Sequence, residues 1–210
     1  MKKLHFLIIF SQIFLINVNL LSAGSLKVTT GDEKISKKFE YKKAYFAGGC
    51  FWCMEESFDK INGVIESISG YSGGHLKNPT YKDVIYKDTG HVETIEVTYN
   101  PKIVSFEELL DVFWKNIDPF DKAGQFCDKG YSYRSVAFYQ NQEQKKIIEN
   151  RIKEIELEYN KSVVTYVKGF DRFYKAEDYH QNYYQTNFIN YLLYKKGCGR
   201  ENRLEQIWEK

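Results

Sequence analysis

The stretch Ala47-Gly48-Gly49-Cys50-Phe51-Trp52-Cys53-Met54-Glu55-Glu56 decides the fold prediction. The apolar run just before it, from Lys43 to Ala47, predicts a short buried strand that ends at the two glycines. After the glycines, residues recur at the spacing of an amphipathic helix: Cys50, Cys53, Met54, Ser57, Phe58 and Ile61. Cys50 is thus predicted in the first helical turn, where unpaired N–H groups and the helix dipole lower a thiol's pKa. We therefore expect a reactive thiolate at Cys50.

The first 23 residues have the pattern of a signal peptide. Lys2 and Lys3 precede an apolar run, and Ala23 is a small residue suited to cleavage. An uncleaved membrane anchor is the alternative, because the run approaches spanning length. We expect export and cleavage, most simply to a periplasm, followed by a flexible polar leader over residues 24–41.

Charge and composition give no indication of a nucleic-acid partner. Cleavage would remove Lys2 and Lys3 and no acidic residue, so the formal net charge would fall from +2 to zero. A neutral chain has no electrostatic attraction for nucleic acid. We expect a monomer without nucleic-acid partners.

The remaining pattern predicts one α+β domain over residues 42–210, without repeats or linkers. The predicted strands are Val64–Tyr71, His91–Tyr99, Ser135–Tyr139 and Val163–Lys168. Predicted helices begin after Ser105, with a capping box to Glu108, after Asn141, and at Ala176, the last running to about Leu193. The chain from about residue 194, which includes Lys195-Lys196-Gly197-Cys198-Gly199-Arg200, is predicted to be a mobile tail.

Glu93 opens the most informative predicted strand. The two-residue period places it on the same face as Ile95, Val97 and Tyr99. A carboxyl on that apolar face is desolvated, which raises its pKa and keeps it protonated near neutral pH. A surface glutamate at a frayed strand end is the alternative.

Six segments in order resemble one family, peptide methionine sulfoxide reductase type A, which reduces the S epimer of methionine sulfoxide. They are Gly49–Trp52, Gly70–Gly74, Tyr81 with Thr89–Glu93, Tyr99–Pro101, Asp128–Gly130 leading to Tyr133–Ser135, and Phe173–Gln181. The resemblance implies a two-layer sandwich with a mixed central sheet and packed helices. It also implies protein repair without a bound cofactor, with an external dithiol reductant such as a thioredoxin-like protein.

The chemistry needs a thiolate to attack sulfur and an acid to protonate oxygen. Cys50 is the expected nucleophile and Glu93 the expected acid. The resemblance implies that Tyr81 and Tyr133 bind the sulfoxide oxygen with Glu93, and that Asp128 is a further polar group. It also implies that Phe51 and Trp52 form an apolar wall for the methyl group. These implied roles complete the candidate set of site residues.

A second thiol must remove the sulfenic acid formed on Cys50. Cys198, between two glycines in the predicted tail, is the expected resolving cysteine, and the family places resolving cysteines in a similar tail. Cys53, on the same helix face as Cys50, and Cys127, in a long loop, are alternatives. The chain has Cys53, Cys127 and Ser132 where commoner members have glycine, asparagine and glutamine, so the order of the disulfide relay stays open.

Three other interpretations compete with this one. Cys50-Phe51-Trp52-Cys53 is also the C-x-x-C of a thiol-disulfide oxidoreductase, although no proline stands where such folds place a cis-proline. A zinc site is disfavoured because the cysteines lack zinc-ligand spacing. A disulfide-stapled binding module would need all four cysteines paired.

Overall fold

The computed structural model describes residues 40–209. The predicted signal peptide, and all but the last two residues of the predicted leader, lie outside this range. The strands are β1 (Lys42–Ala47), β2 (Val64–Ser72), β3 (Val92–Tyr99), β4 (Gly124–Gln125), β5 (Asp128–Lys129), β6 (Val136–Tyr139), β7 (Tyr166–Gly169) and β8 (Phe173–Lys175). The helices are α1 (Phe51–Asp59), α2 (Tyr81–Tyr86), α3 (Phe106–Lys115), α4 (Gln142–Tyr159), α5 (Tyr183–Thr186), α6 (Phe188–Gly197) and α7 (Arg200–Trp208), with 3₁₀ turns at Tyr131–Tyr133 and Asp178–His180.

Six strands form one mixed sheet in the order β7-β6-β1-β3-β2-β8. The β6–β7 pair is parallel, and the other pairs are antiparallel. Strands β4 and β5 form a small separate hairpin. This mixed sheet with packed helices confirms the predicted α+β class.

Side chains along β1 point alternately to the two faces of the sheet. Phe46 faces the helices, with its ring centroid 5.3 Å from that of Phe58 in α1 and 5.1 Å from that of Phe113 in α3. Tyr45 faces the other way and stacks on Phe170 at 3.6 Å. Because β1 lies between β3 and β6 and both of its faces are covered, its end holds Cys50 in a fixed place.

The predicted capping box before α3 is confirmed, and α2 begins with a second capping box. The Ser105 hydroxyl accepts a hydrogen bond from the amide of Glu108, whose carboxylate accepts from the amide of Ser105. Thr80 and Asp83 make the same exchange at the start of α2, inside a segment for which no helix was predicted. The T-x-x-D spacing was the available signal.

The predicted single helix from Ala176 to Leu193 is wrong. The chain there forms a 3₁₀ turn, then α5, then α6. Asn182 has a left-handed φ of 51° and Asn187 a non-helical φ of −126°, and each interrupts the helix. Helical composition did not reveal these two breaks, which depend on tertiary contacts.

The residues of the predicted mobile tail form helices. Helix α6 continues to Gly197, and α7 follows from Arg200. Arg200 is buried and donates to the carbonyl of Asn116 at 2.5 Å, while Arg203 pairs with Asp118 at 2.7 Å. Contacts with distant residues, invisible to composition, fix this segment. No helix between residues 40 and 209 is long and apolar enough to cross a membrane.

Candidate active site

Two glycines turn the chain from β1 into α1 and place Cys50 at the N-cap of the helix. Gly49 has φ +78°, and a Cβ there would lie 2.5 Å from the Cβ of Gln125. A Cβ on Gly48 would lie 2.5 Å from the sulfur of Met54. No larger residue fits at either position, so the tight turn depends on glycine. The helix-start position predicted for Cys50 is confirmed.

Cys50 is buried, with 5% of its surface exposed, and it contacts Cys53. Burial and the neighbouring Cys53 thiol raise the pKa of Cys50 well above its ordinary value. The hydrogen bond from Cys50, helped by the charge of Arg200, lowers the pKa of Cys53 to about 7. The expectation that the helix start would lower the pKa of Cys50 is therefore wrong for the resting protein. The sequence pattern located the start of the helix correctly but did not reveal how deeply the Cys50 side chain is buried.

The two thiols thus hold one negative charge between them above neutral pH. Moving the shared proton from Cys50 to Cys53 transfers that charge to Cys50. Tyr194 lies within hydrogen-bonding reach of Cys50 and favours its thiolate form. Tyr191 does the same for Cys53. The pair is therefore built to supply a thiolate at the N-terminus of α1.

Glu93 lies beside Cys50, at the start of β3. Its side chain is 2% exposed, and its Oε2 accepts a hydrogen bond from the amide of Phe51 at 3.0 Å. Burial raises its pKa well above the usual range, and the nearby charges of Asp128 and Cys53 act in the same direction. The predicted buried face and raised pKa of Glu93 are confirmed, so a proton donor adjoins the thiol.

Tyr81, Tyr133 and Asp128 lie around this carboxyl. The hydroxyls of Tyr81 and Tyr133 are hydrogen-bonded to each other. Burial, followed by the charge of Glu93, raises the pKa of Tyr81 to about 12, and the same two causes raise that of Tyr133 further. Burial also raises the pKa of Asp128, whose carboxylate accepts from the Tyr194 hydroxyl. The structure brings all three predicted residues to the same site.

Phe51 and Trp52 form an aromatic wall with His180 and Tyr183. The indole N–H of Trp52 donates to Nδ1 of His180 at 3.2 Å, and the Tyr183 ring stacks on the indole at 3.8 Å. The His180 ring lies 5.0 Å from that of Phe51 and 4.5 Å from that of Tyr81. Burial lowers the pKa of His180 to about 4, so it stays neutral and keeps Nδ1 as an acceptor.

Tyr194, Tyr191, His180 and Tyr183 were missed as site residues. They belong to the aromatic-rich run after residue 176, which was assigned only as a helix. The aromatic content of that run and the resemblance over Phe173–Gln181 were the available signals. Only tertiary packing brings the run to α1.

Cys198 lies at the C-terminal end of α6. It forms a disulfide with Cys127, with the two Cα atoms 5.0 Å apart. Cys50 and Cys53 are free thiols. In this state Cys198 is therefore not a free thiol, and the two free thiols contradict a binding module with every cysteine paired.

Among residues 40–209, one group of possible metal ligands is close enough to share an ion: Cys127, Asp128 and Cys198. Their ligand atoms lie within 4.8 Å of one another. Because the two sulfurs are bonded to each other, this group lacks thiolate ligands for zinc in the oxidised state.

Comparison with known proteins identifies the family. The family model described as peptide methionine sulfoxide reductase matches residues 42–210. Peptide methionine sulfoxide reductase MsrA 2 of Staphylococcus aureus strain MW2 is 45% identical over 167 residues, which are 79% of this chain and 94% of that protein. The MsrA/MsrB protein of Vibrio cholerae serotype O1 is 42% identical over 195 residues, which are 92% of this chain and 51% of that protein.

Two solved structures share the fold. The reduced form of Mxr1 from Saccharomyces cerevisiae has a TM-score of 0.67 at 31% identity, over 70% of this chain and 86% of that one. Methionine sulfoxide reductase A of Corynebacterium diphtheriae has a TM-score of 0.65 at 28% identity, over 71% and 76%. The chain belongs to the peptide methionine sulfoxide reductase family and is an oxidoreductase that acts on methionine sulfoxide.

Proposed function

We propose that this enzyme reduces the S epimer of methionine sulfoxide in oxidised proteins. Relatives named MsrA and the resemblance to the type A family support the choice of epimer. The observation that carries the proposal is the meeting of a buried thiol and a buried carboxyl at one helix start. Cys50 caps α1, and Glu93 accepts a hydrogen bond from the very next amide, that of Phe51.

In the first step the Cys50 thiolate attacks the sulfoxide sulfur while Glu93 protonates the oxygen. Tyr81 and Tyr133 donate hydrogen bonds to that oxygen, and Asp128 orients Tyr194 beside Cys50. Phe51 and Trp52 enclose the methyl group. The oxygen passes from the sulfoxide sulfur to Cys50, so methionine sulfoxide is reduced by two electrons to methionine and Cys50 is oxidised to a sulfenic acid.

The second step is condensation of that sulfenic acid with the Cys53 thiol. A disulfide forms and one water molecule leaves. The contact between Cys50 and Cys53 supports this order, since Cys198 is bonded to Cys127. A C-x-x-C pair at a helix start is spaced for a disulfide. Cys198 becomes available only after its own disulfide is reduced.

A dithiol donor then reduces the Cys50–Cys53 disulfide and itself becomes a disulfide. A thioredoxin-like protein of the exported compartment fits this requirement. The proposed location is the periplasm, after cleavage of the N-terminal 23 residues, and the proposed state is a monomer. The lysines and apolar run near the N-terminus support export.

The test is an assay with racemic N-blocked methionine sulfoxide and dithiothreitol, followed by chiral chromatography. We expect loss of the S epimer alone, no loss with Cys50→Ser, and slow loss with Glu93→Gln. If both epimers persist while insulin disulfides are reduced, the dithiol oxidoreductase replaces this proposal.

A further inference from the structure

Glu55 is a buried carboxylate that none of these steps uses. It lies on α1, three residues after Trp52, with none of its surface exposed. Its Oε1 accepts a hydrogen bond from the amide of Asn182 at 3.1 Å, and the amide of Tyr183 also stabilises the carboxylate. Burying a carboxyl is unfavourable unless its partners compensate, so its presence here needs a physical reason.

The residues that Glu55 holds belong to the segment that supports Trp52. His180 accepts the indole N–H, and the Tyr183 ring stacks on the indole face. Asn182 lies between these two supports, with a left-handed φ of 51°. Asparagine adopts this conformation more readily than other residues with a Cβ, so the turn forms at low cost. The hydrogen bond from the Asn182 amide to Glu55 helps to hold the turn against α1.

The same segment has a second anchor on the sheet. The side-chain amide of Gln181 exchanges two hydrogen bonds with the backbone of Ser69 in β2, at 3.1 and 3.0 Å. Residues 180–183 are thus fixed to β2 through Gln181 and to α1 through Glu55. Because Trp52 and Glu55 lie on one turn of α1, the Glu55 contact sets the separation between the indole and its two supports.

We propose that Glu55 is a positioning residue whose ionised carboxylate holds residues 180–183 against Trp52 and so preserves the shape of the substrate-binding wall. This inference rests on the proposed role of Trp52 in enclosing the methyl group. Glu55 acts only through that segment and contacts no reacting atom.

Ionisation of Glu55 gives this contact a pH dependence. Burial raises the pKa of Glu55 to about 7; the Asn182 amide opposes the shift, and Asp59 adds to it. The groups that face Glu55 are Asp59 of α1, Ser69 of β2 and Tyr184 of α5, and none of these is a cation. The carboxylate is therefore present above neutral pH and is lost as the pH falls through about 7.

Two buried oxygen atoms, one on Glu55 and one beside it, have unused hydrogen-bonding capacity, which allows a change of protonation there. Oε2 of Glu55 and Oγ of Ser69 both lack a hydrogen bond of ordinary geometry. A protonated Glu55 can donate to the Ser69 oxygen, and an ionised Glu55 can accept from the Ser69 hydroxyl. His180, whose pKa is lowered to about 4, stays neutral throughout this range and does not itself release Trp52.

The test is nuclear magnetic resonance of the full chain labelled with ¹⁵N, as a function of pH. We expect the Asn182 amide and the Trp52 indole N–H signals to shift together, with a common midpoint near pH 7. In Glu55→Gln, an isosteric neutral variant, the Asn182 shift should vanish and the Trp52 shift should shrink, whereas any Trp52 shift caused by the neighbouring Cys53 or by Glu93 would remain. The inference is overturned if neither signal moves in the wild-type protein, a measurement that needs no variant.

Kinetics give a second, independent arm. A hydrogen bond to a charged acceptor is stronger than one to a neutral acceptor, so Glu55→Gln should raise KM about five-fold at pH 8 with little change in kcat. Glu55→Asp, which keeps the charge, should restore part of the lost affinity. Glu66→Gln, at an exposed position of β2, is the matched control and should leave KM unchanged.

Together, the resonance titration and the kinetics distinguish a failure of the proposed function from a failure of the positioning role alone. If the enzyme reduces no sulfoxide, the proposed function fails while the resonance titration still reports on Glu55. If sulfoxide reduction proceeds and Glu55→Gln keeps the wild-type KM and the same titration, the positioning role fails alone.

Discussion

The molecule holds its four cysteines as two pairs in contrasting environments. Cys50 and Cys53 are free thiols buried at the start of α1, coupled through a shared proton. Cys127 and Cys198 form a disulfide nearer the surface that joins the loop beside Asp128 to the end of α6. The first pair adjoins Tyr194 and Glu93, whereas the second pair adjoins Asp128 and connects segments 71 residues apart.

This difference shows that environment, more than residue type, assigns chemistry to a cysteine. A thiol within reach of Tyr194, Cys53 and Glu93 can exchange protons and oxygen. A cysteine in a disulfide has no free thiol, and its main effect is to restrain the chain. The predictions below test whether the two pairs divide the work in this way.

The largest effect is expected from Cys50→Ser. Turnover of methionine sulfoxide should fall to background, since a serine hydroxyl at this position cannot form a sulfenic acid. Mass spectrometry after exposure to substrate should find no added oxygen or disulfide at α1. Retained turnover would remove Cys50 from the mechanism.

The next largest effect is expected from Glu93→Gln. Removing the proton donor while keeping the side-chain shape should lower kcat by about 10²- to 10⁴-fold. Single-turnover formation of methionine measures this step without the reductant. Glu66→Gln provides the exposed control, and an unchanged rate in Glu93→Gln would assign the proton to another group.

Cys53→Ser tests the order of the relay. One methionine per enzyme should still form, but steady-state turnover with a thioredoxin-like donor should fall about tenfold, because no adjacent thiol removes the sulfenic acid. Cys198→Ser should keep its turnover. The opposite result, a dead Cys198→Ser beside an active Cys53→Ser, would return the resolving role to the C-terminal cysteine.

A moderate effect is expected on the pH dependence of thiolate formation, which the buried pair shows and the disulfide pair does not. The Cys50–Cys53 hydrogen bond lowers the pKa of Cys53 to about 7, so thiolate should appear as the pH rises through that value. The ultraviolet absorbance of thiolate measures it directly. In Cys53→Ser the step near pH 7 should disappear, whereas Cys127→Ser should keep it. An unchanged step in Cys53→Ser would assign the ionisation to a different group.

The smallest effect on chemistry is expected from Cys127→Ser. Losing the cross-link should lower the free energy of unfolding by about 2–4 kcal/mol, because the unfolded chain gains freedom. Thermal unfolding measures the loss, and single-turnover chemistry at low temperature should persist. If the chemistry also stops, the surface pair belongs to the catalytic relay.

Local patterns predicted the central part of the site correctly. The glycine pair and the helical spacing after it located Cys50 at a helix start. The two-residue period placed Glu93 on a buried face with a raised pKa. Both features follow from backbone geometry over fewer than ten residues, which sequence periodicity reports directly.

Patterns failed where distant parts of the chain decide the outcome. The residues from 194 onward read as a tail, yet Arg200 and Arg203 bind the loop at residues 116–118. The pairing of Cys198 with Cys127 was left open by the pattern, because it depends on segments 71 residues apart. The pKa of Cys50 was predicted in the wrong direction because burial depends on α6 packing over α1.

The sequence alone determined the class of fold, the helix start at Cys50, the placement of Glu93 and the family of the enzyme, because each is written in short patterns or ordered motifs. Only the tertiary structure decided which thiols touch, how deeply Cys50 is buried, and that His180, Tyr183 and Tyr194 complete the site. The physical reason is that electrostatics and thiol pairing depend on distances through space, and residues far apart in the sequence set those distances.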